Sequence, residues 1–188
     1  MTSRPWGLVL DADVLLRSSA RDLFLHLAAL DVVDPLWSEQ ILEEVARNFP
    51  RGSERFQRLH AALEAAFPEA RKTDFEHHIP TFSRTSRNDR HVLALAAEYE
   101  ADLVSFNHRH FDAGEASRYG VIVWTPDAAL NQVIQDHPEE TRFAVERAYL
   151  MLRKPPVQWP DFIEHIRADG MPKIAAWIAG VPEPPRRG

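Results

Sequence analysis

The sequence predicts an α/β protein of three layers, a central parallel sheet flanked by helices, followed by a C-terminal helical extension. Three observations lead there. Short apolar runs stop abruptly at a polar residue, as buried parallel strands do. Segments of helical period lie between those runs, which is the alternation that builds a parallel sheet covered on both faces. After Ile134 the strands cease and helical segments follow one another directly.

Taken in order, Trp6-Gly7-Leu8-Val9-Leu10 reads as a buried strand that delivers Asp11-Ala12-Asp13 to its carboxyl edge. Leu23, Phe24, Leu27 and Leu30 then recur at helical spacing between Asp22 and Leu30. Val32-Val33 with Leu36-Trp37 forms a short second strand, and Ser38 is placed to cap a helix over Glu39–Phe49. Phe56, Leu59, Leu63 and Phe67 predict an amphipathic helix over Glu54–Phe67. Asn88 or Asp89 opens another helix running to about Tyr99, and the strand Ala101–Phe106 returns to end at Asn107. Val121–Trp124 is the last strand, with Thr125 as cap and Pro126 at the first helical position. Helices follow at Glu139–Leu152, Asp161–Ala168 and Pro172–Ala179. The expected boundaries are 1–134 for the α/β domain, 135–180 for the extension and 181–188 for a disordered, proline-rich tail.

Composition narrows the chemistry. The 188 residues, 45% of them apolar, suffice for one full core. With no cysteine, disulfides, thiolate metal sites and cysteine nucleophiles are excluded. The early sequence suits neither a signal peptide nor a span of ~20 apolar residues, so a cytoplasmic protein without membrane contact is expected. A net charge of −6 gives no overall basic surface, so contact with nucleic acid requires a local basic patch.

In open α/β sheets ligands bind outside the carboxyl ends of the strands, which directs attention to Asp11, Asn107 and Thr125. Two helical carboxylates, Glu44 and Asp89, can complete a pocket with Asp11. Oxygen ligands without histidine or cysteine suit a hard octahedral cation, Mg²⁺ or Mn²⁺. Such an ion can activate water and neutralise charge developing on a phosphodiester. Singly, each acid also fits a helix cap or a dipole partner.

Four ordered blocks carry a family resemblance: Val9–Leu15, Ser38–Val45, Asn88–Ala96 and Ala101–Asn107. With the strand-to-helix junction Val121–Asp127, they resemble PIN-domain ribonucleases over about residues 6–133, and in particular the VapC-like toxins of bacterial toxin–antitoxin pairs. The resemblance implies an Mg²⁺- or Mn²⁺-dependent endoribonuclease in which Asp11, Glu44 and Asp89 bind the metal, with Asn107 in the catalytic set. Glu43 is the neighbour most easily confused with Glu44, because adjacent helical residues point about 100° apart. Two positions depart from the family pattern: Asp13 stands where Asn, Ser or Thr is frequent, and Asn107 where many members carry a fourth Asp. The resemblance also implies RNA as substrate, a cognate antitoxin that blocks the pocket, and a homodimer.

Other features compete. His77-His78 and His108-Arg109-His110 suggest a transition-metal site, but adjacent histidines on regular elements diverge and no His-Glu-x-x-His occurs. His108, Arg109 and His110 read better as phosphate contacts or as solvated loop residues. Arg47, Arg51, Arg55 and Arg58, and separately Arg84, Arg87 and Arg90, are candidate RNA contacts or plain solvated faces. Trp37, Phe49, Trp124 and Trp177 read as core. No Gly-x-Ser-x-Gly elbow and no Walker or Rossmann glycine motif is present. An enzymatic alternative is a haloacid-dehalogenase-like phosphohydrolase built on Asp11, Asp13 and Ser105; the core offers it only Lys72 to hold phosphate. A non-enzymatic alternative is a PIN-like module, weak in catalysis, that binds RNA or protein.

Overall fold

The computed structural model describes residues 4–152 and 157–185. Its architecture is the predicted one: four strands, β1 (Trp6–Leu10), β2 (Val33–Leu36), β3 (Asp102–Val104) and β4 (Val123–Trp124), in a parallel sheet of order β2-β1-β3-β4. Central strands buried on both faces need continuous apolar runs, and Leu8, Val9, Leu10, Leu103 and Val104 are all fully buried. β1 and β3 end in register, Leu10 opposite Val104, and Asp11 N–H extends the ladder to the Val104 carbonyl at 3.1 Å.

Among the described residues no helix is long and apolar enough to cross a membrane.

The chain forms two compact units, one from residues up to Leu16 together with Asp34–Thr125, the other from Arg17–Val33 and the chain from Pro126 onwards. In the first unit α1 (Ala12–Leu16) packs on α3 (Glu39–Arg47), and α5 (Arg90–Glu98) packs on β1 and β3. Ser38 caps α3 as expected, its Oγ accepting from Ile41 N–H at 3.2 Å. α5 is buried from His91 to Ala97, so it reads as an apolar run more than as an amphipathic helix. α4 (Glu54–Ala66) is the opposite case. Of its expected apolar face only Leu63 is buried, and Phe56 instead lies against Phe49 at 5.7 Å between ring centroids.

The edge of the sheet is tied by one carboxylate. Asp102 accepts from Trp6 Nε1 (3.0 Å), Trp124 Nε1 (3.1 Å) and Ile122 N–H (2.7 Å), linking β1, β3 and the approach to β4. The two indoles meet edge to face at 5.4 Å. Asp102→Ala strands both indole donors, and unfolding in urea is expected to show a loss of ~2–3 kcal/mol; a loss below ~0.5 kcal/mol would mean that water replaces the carboxylate.

The second unit holds α2 (Ser18–Ala28), α7 (Pro126–Asp136), α8 (Pro138–Met151), α9 (Trp159–Ala168) and α10 (Pro172–Ile178). α2 begins at Ser18, earlier than Asp22, because Ala20 also joins the buried face. It packs on α8 and α9, while α10 packs on α7 and α9. The expected boundary at 134/135 falls inside α7, one uninterrupted helix. Phe143 in α8 is 49% exposed. Of the expected tail, residues 186–188 lie outside the described residues; before them the Glu183 carboxylate accepts from the buried Tyr149 hydroxyl at 2.7 Å, which gives that phenol the partner it needs.

Candidate active site

The order β2-β1-β3-β4 creates a switch point. From β1 the chain crosses to β2 on one side, then returns past β1 to β3 on the other, leaving a crevice at the carboxyl ends of β1 and β3. The residues that follow these strands, Asp11 and Ser105, are therefore neighbours. α5 runs back antiparallel to β3, so Asp89, which precedes its first turn, returns to the same edge.

Asp11 is 6% exposed. Burial, then the charge of Asp13 and to a lesser degree that of Asp89, pushes its carboxyl up from 3.8 to about 7; the Ser105 hydroxyl and the Ala12 N–H, at 2.7 Å from Oδ1, oppose the rise. No lysine or arginine pairs with Asp11 among the described residues. Asp13 has a different task. It accepts from Ser105 Oγ (3.2 Å), Phe106 N–H (3.2 Å) and Asn107 N–H (3.0 Å), so it shapes the chain leaving β3.

Glu44 and Glu43 separate cleanly. Glu43 is exposed and faces Arg47 at 3.7 Å, whereas Glu44 Oε1 accepts from His91 Nε2 at 2.9 Å. A carboxylate oxygen accepts, so the His91 ring carries a proton on Nε2. His91 is 3% exposed, and its Nδ1 has no hydrogen-bond partner among the described residues. Asp89 Oδ2 lies 3.3 Å from His110 Nδ1. Asn107 contributes its backbone N–H to Asp13 and Ser105, and the residue itself is exposed.

Asp11, Asp13 and Asp89 are thus electrostatic neighbours, while Glu44 stands apart, held by His91. The oxygens of Asp11, Glu44 and Asp89 do not all fall within 4.8 Å of one another, as His77, His78 and Glu98 do. The donor set nonetheless fits a hard divalent cation: it is all oxygen, and a buried carboxylate beside two others gains most from an added positive charge.

Around this edge the arginines divide. Arg47 and Arg87 line a cleft of ≈ 420 Å³ with Gln40, Glu44 and Asn88. Arg84 pairs with Asp112 at 3.0 Å, and Arg90 donates to the Thr85 and Ser83 carbonyls, so both serve structure. Buried Glu115 fixes the same segment, accepting from Arg84 N–H (2.8 Å) and Thr85 N–H (2.9 Å). Its burial would raise its carboxyl, but these bonds and those of the Ser83 and Thr85 hydroxyls outweigh it and hold the carboxyl below its ordinary value.

Sequence reasoning missed His91, Asp13 as organiser and Glu115. A signal existed for the first, a single ionisable residue opening the apolar run Val92–Ala97.

The fold and site define an α/β protein with an acidic crevice at a sheet switch point. Residues 126–180 match the family model of the VapC50 C-terminal domain, so the C-terminal region resembles that of a VapC-family toxin. The match covers α7 to α10 and not the sheet. No curated protein and no solved structure matches the chain.

Proposed function

We propose that the chain is the toxin of a toxin–antitoxin pair, an endoribonuclease that works with Mg²⁺ or Mn²⁺ at Asp11, Glu44 and Asp89. The observation that carries the reading is the Asp11 carboxylate, buried at the switch point with Asp13 and Asp89 in its field and, among the described residues, no lysine or arginine paired with it. The VapC-type C-terminal region supports the same family by an independent route.

A bound Mg²⁺ or Mn²⁺ would supply Lewis-acid stabilisation of the phosphodiester and lower the pKa of water. The chain's own residues do the rest. Asp11 and Asp89 would hold the cation, with Glu44, which His91 holds in place, as the third carboxylate of the set. Asp13 fixes the backbone on which Asn107 sits. Arg47 and Arg87 offer planar donors to RNA phosphates in the adjoining cleft. An antitoxin would act by covering this acidic edge, and a homodimer is the assembly the family implies.

The phosphohydrolase reading would need a phosphate-binding lysine, and the lysine of the α/β core, Lys72, lies instead over the Tyr99 ring at 5.4 Å, at the other end of α5 from Asp89; the helix axis between Asp89 and Tyr99 is about 15 Å long at 1.5 Å per residue.

The deciding experiment incubates purified protein with end-labelled RNA in Mg²⁺, in Mn²⁺ and in chelator. Cation-dependent internal cleavage is expected; a trapped aspartyl-phosphate on Asp11 with no RNA cleavage would favour the phosphohydrolase. Asn107→Asp tests whether position 107 belongs to the cation-binding edge, since a neutral amide adds no charge there and a carboxylate does. Calorimetry is expected to show tighter Mn²⁺ binding in Asn107→Asp than in wild type. Unchanged affinity would place position 107 outside the binding edge.

A further inference from the structure

Away from the carboxylate edge, the 3₁₀ turn Glu76–Thr81 lies against α5. His77 Nε2 and His78 Nε2 approach the same oxygen, Glu98 Oε2, at 3.2 and 3.0 Å. All three donor atoms fall within 4.8 Å of one another, and no other such group of three occurs among the described residues. Adjacent histidines are expected to diverge; here their rings lie 4.2 Å apart at 38° because a carboxylate in the last turn of α5 draws both tips to one point.

We propose that His77, His78 and Glu98 form a binding site for a borderline transition-metal cation of the Zn²⁺ class, separate from the acidic edge and independent of the nuclease reading.

Four arguments support the site. Two imidazoles and a carboxylate are the donor set of three-ligand zinc sites, which leave a fourth position to water or another ligand. With bonds of about 2.0–2.1 Å, neighbouring ligand atoms of a tetrahedral zinc stand about 3.3 Å apart, so the two nitrogen–oxygen spacings are already close to polyhedron edges. The C-terminal end of α5 carries the negative end of the helix dipole, which favours a cation there. Finally, His78 is held in place: Tyr119 packs edge-on against its ring at 5.3 Å, and its carbonyl accepts from Thr81 Oγ1 at 2.7 Å. The Tyr119 hydroxyl in turn meets Thr81 Oγ1 at 3.3 Å, extending that support. A cation bound here would clasp the turn to the end of α5.

The test uses full-length protein without a polyhistidine tag, stripped with chelator and kept in excess Mg²⁺ so that the oxygen-rich edge is offered its own ion. Zn²⁺ is titrated by calorimetry, and Co²⁺ is followed by its visible spectrum and by broadening of histidine ring resonances. The expected result is one Zn²⁺ per chain, broadening of His77 and His78, and at least ~10-fold weaker binding in both His77→Ala and Glu98→Gln. Both substituted side chains are substantially exposed, so the fold should survive either change. Zinc at about 100 times the wild-type Kd should also raise the Tm of wild type by about 5 °C, and that of His77→Ala by no more than about half as much. Absence of binding up to ~1 mM Zn²⁺, or unchanged affinity in either variant, overturns the site.

Discussion

Asp11→Asn, Glu44→Gln and Asp89→Asn are each expected to lower cation-dependent RNA cleavage by about 100-fold or more, roughly 2.7 kcal/mol of transition-state free energy, while leaving the fold intact. Each substitution keeps side-chain shape and removes one ligand charge. The three should not be equivalent. Asp11 and Asp89 share a field, so losing either weakens Mn²⁺ binding in calorimetry as well as turnover. Glu44 is held by His91 at 2.9 Å, so Glu44→Gln should spare more of the affinity than of the rate. Wild-type cleavage by Asp89→Asn across a Mg²⁺ titration, with contaminating nuclease excluded, would remove Asp89 from the site.

The same Asp11→Asn change should stabilise the fold, and the gain should depend on pH. The carboxyl of Asp11 rises from 3.8 to about 7 on folding. A group whose folded value is raised binds its proton more tightly in the native state; its contribution is complete below 3.8 and is lost as pH climbs through about 7. Above that point the ionised carboxylate costs the native state on the order of 4 kcal/mol, three to four pKa steps at 1.36 kcal/mol each in a nearly buried group. Asparagine cannot ionise yet can still accept from the Ala12 N–H. In chelator at pH 8, urea unfolding should therefore show Asp11→Asn more stable by ~2–4 kcal/mol, and near pH 4 the two proteins should converge. Adding Mn²⁺ at pH 8 should raise wild-type stability far more than that of the variant. A variant less stable than wild type at pH 8 would mean that Asp11 contributes more through hydrogen bonds than it costs through charge.

Strand positions were legible because the sheet is parallel and buried: Leu8-Val9-Leu10 and Leu103-Val104 have no polar alternation to confuse them. Ser38 announced α3 for an equally local reason. Helix ends were less visible. The helices that lead into β2 and β3 both stop on left-handed acidic residues, Asp31 (φ 56°) and Glu100 (φ 50°). Val32 N–H returns to Leu27 and Ala101 N–H to Ala96, the bonds that usually accompany glycine. In the candidate site, strand-end position directed attention to Asp11 and the family motif favoured Glu44 over Glu43; what the sequence did not show is that Glu44 meets His91 while Glu43 lies exposed beside Arg47. Glu115 was illegible. It lies in α6 (Ala113–Arg118), and its partners at positions 83–85 are fixed by tertiary contact alone.

The pairing of α2 with α8 and α9 also bears on the order in which the chain is made. Leu23, Phe24 and Leu27 leave the ribosome well ahead of their partners, since α8 begins at Pro138 and α9 at Trp159. At ~5–20 residues per second the apolar face of α2 waits several seconds for its principal partners, an interval in which exposed apolar surface is open to chaperones and to aggregation. A fragment cut to the family-matched segment 126–180 inverts the problem: it would carry α8 and α9 without α2, which packs on both, so the segment recognisable by sequence is smaller than the compact unit in which its helices are buried.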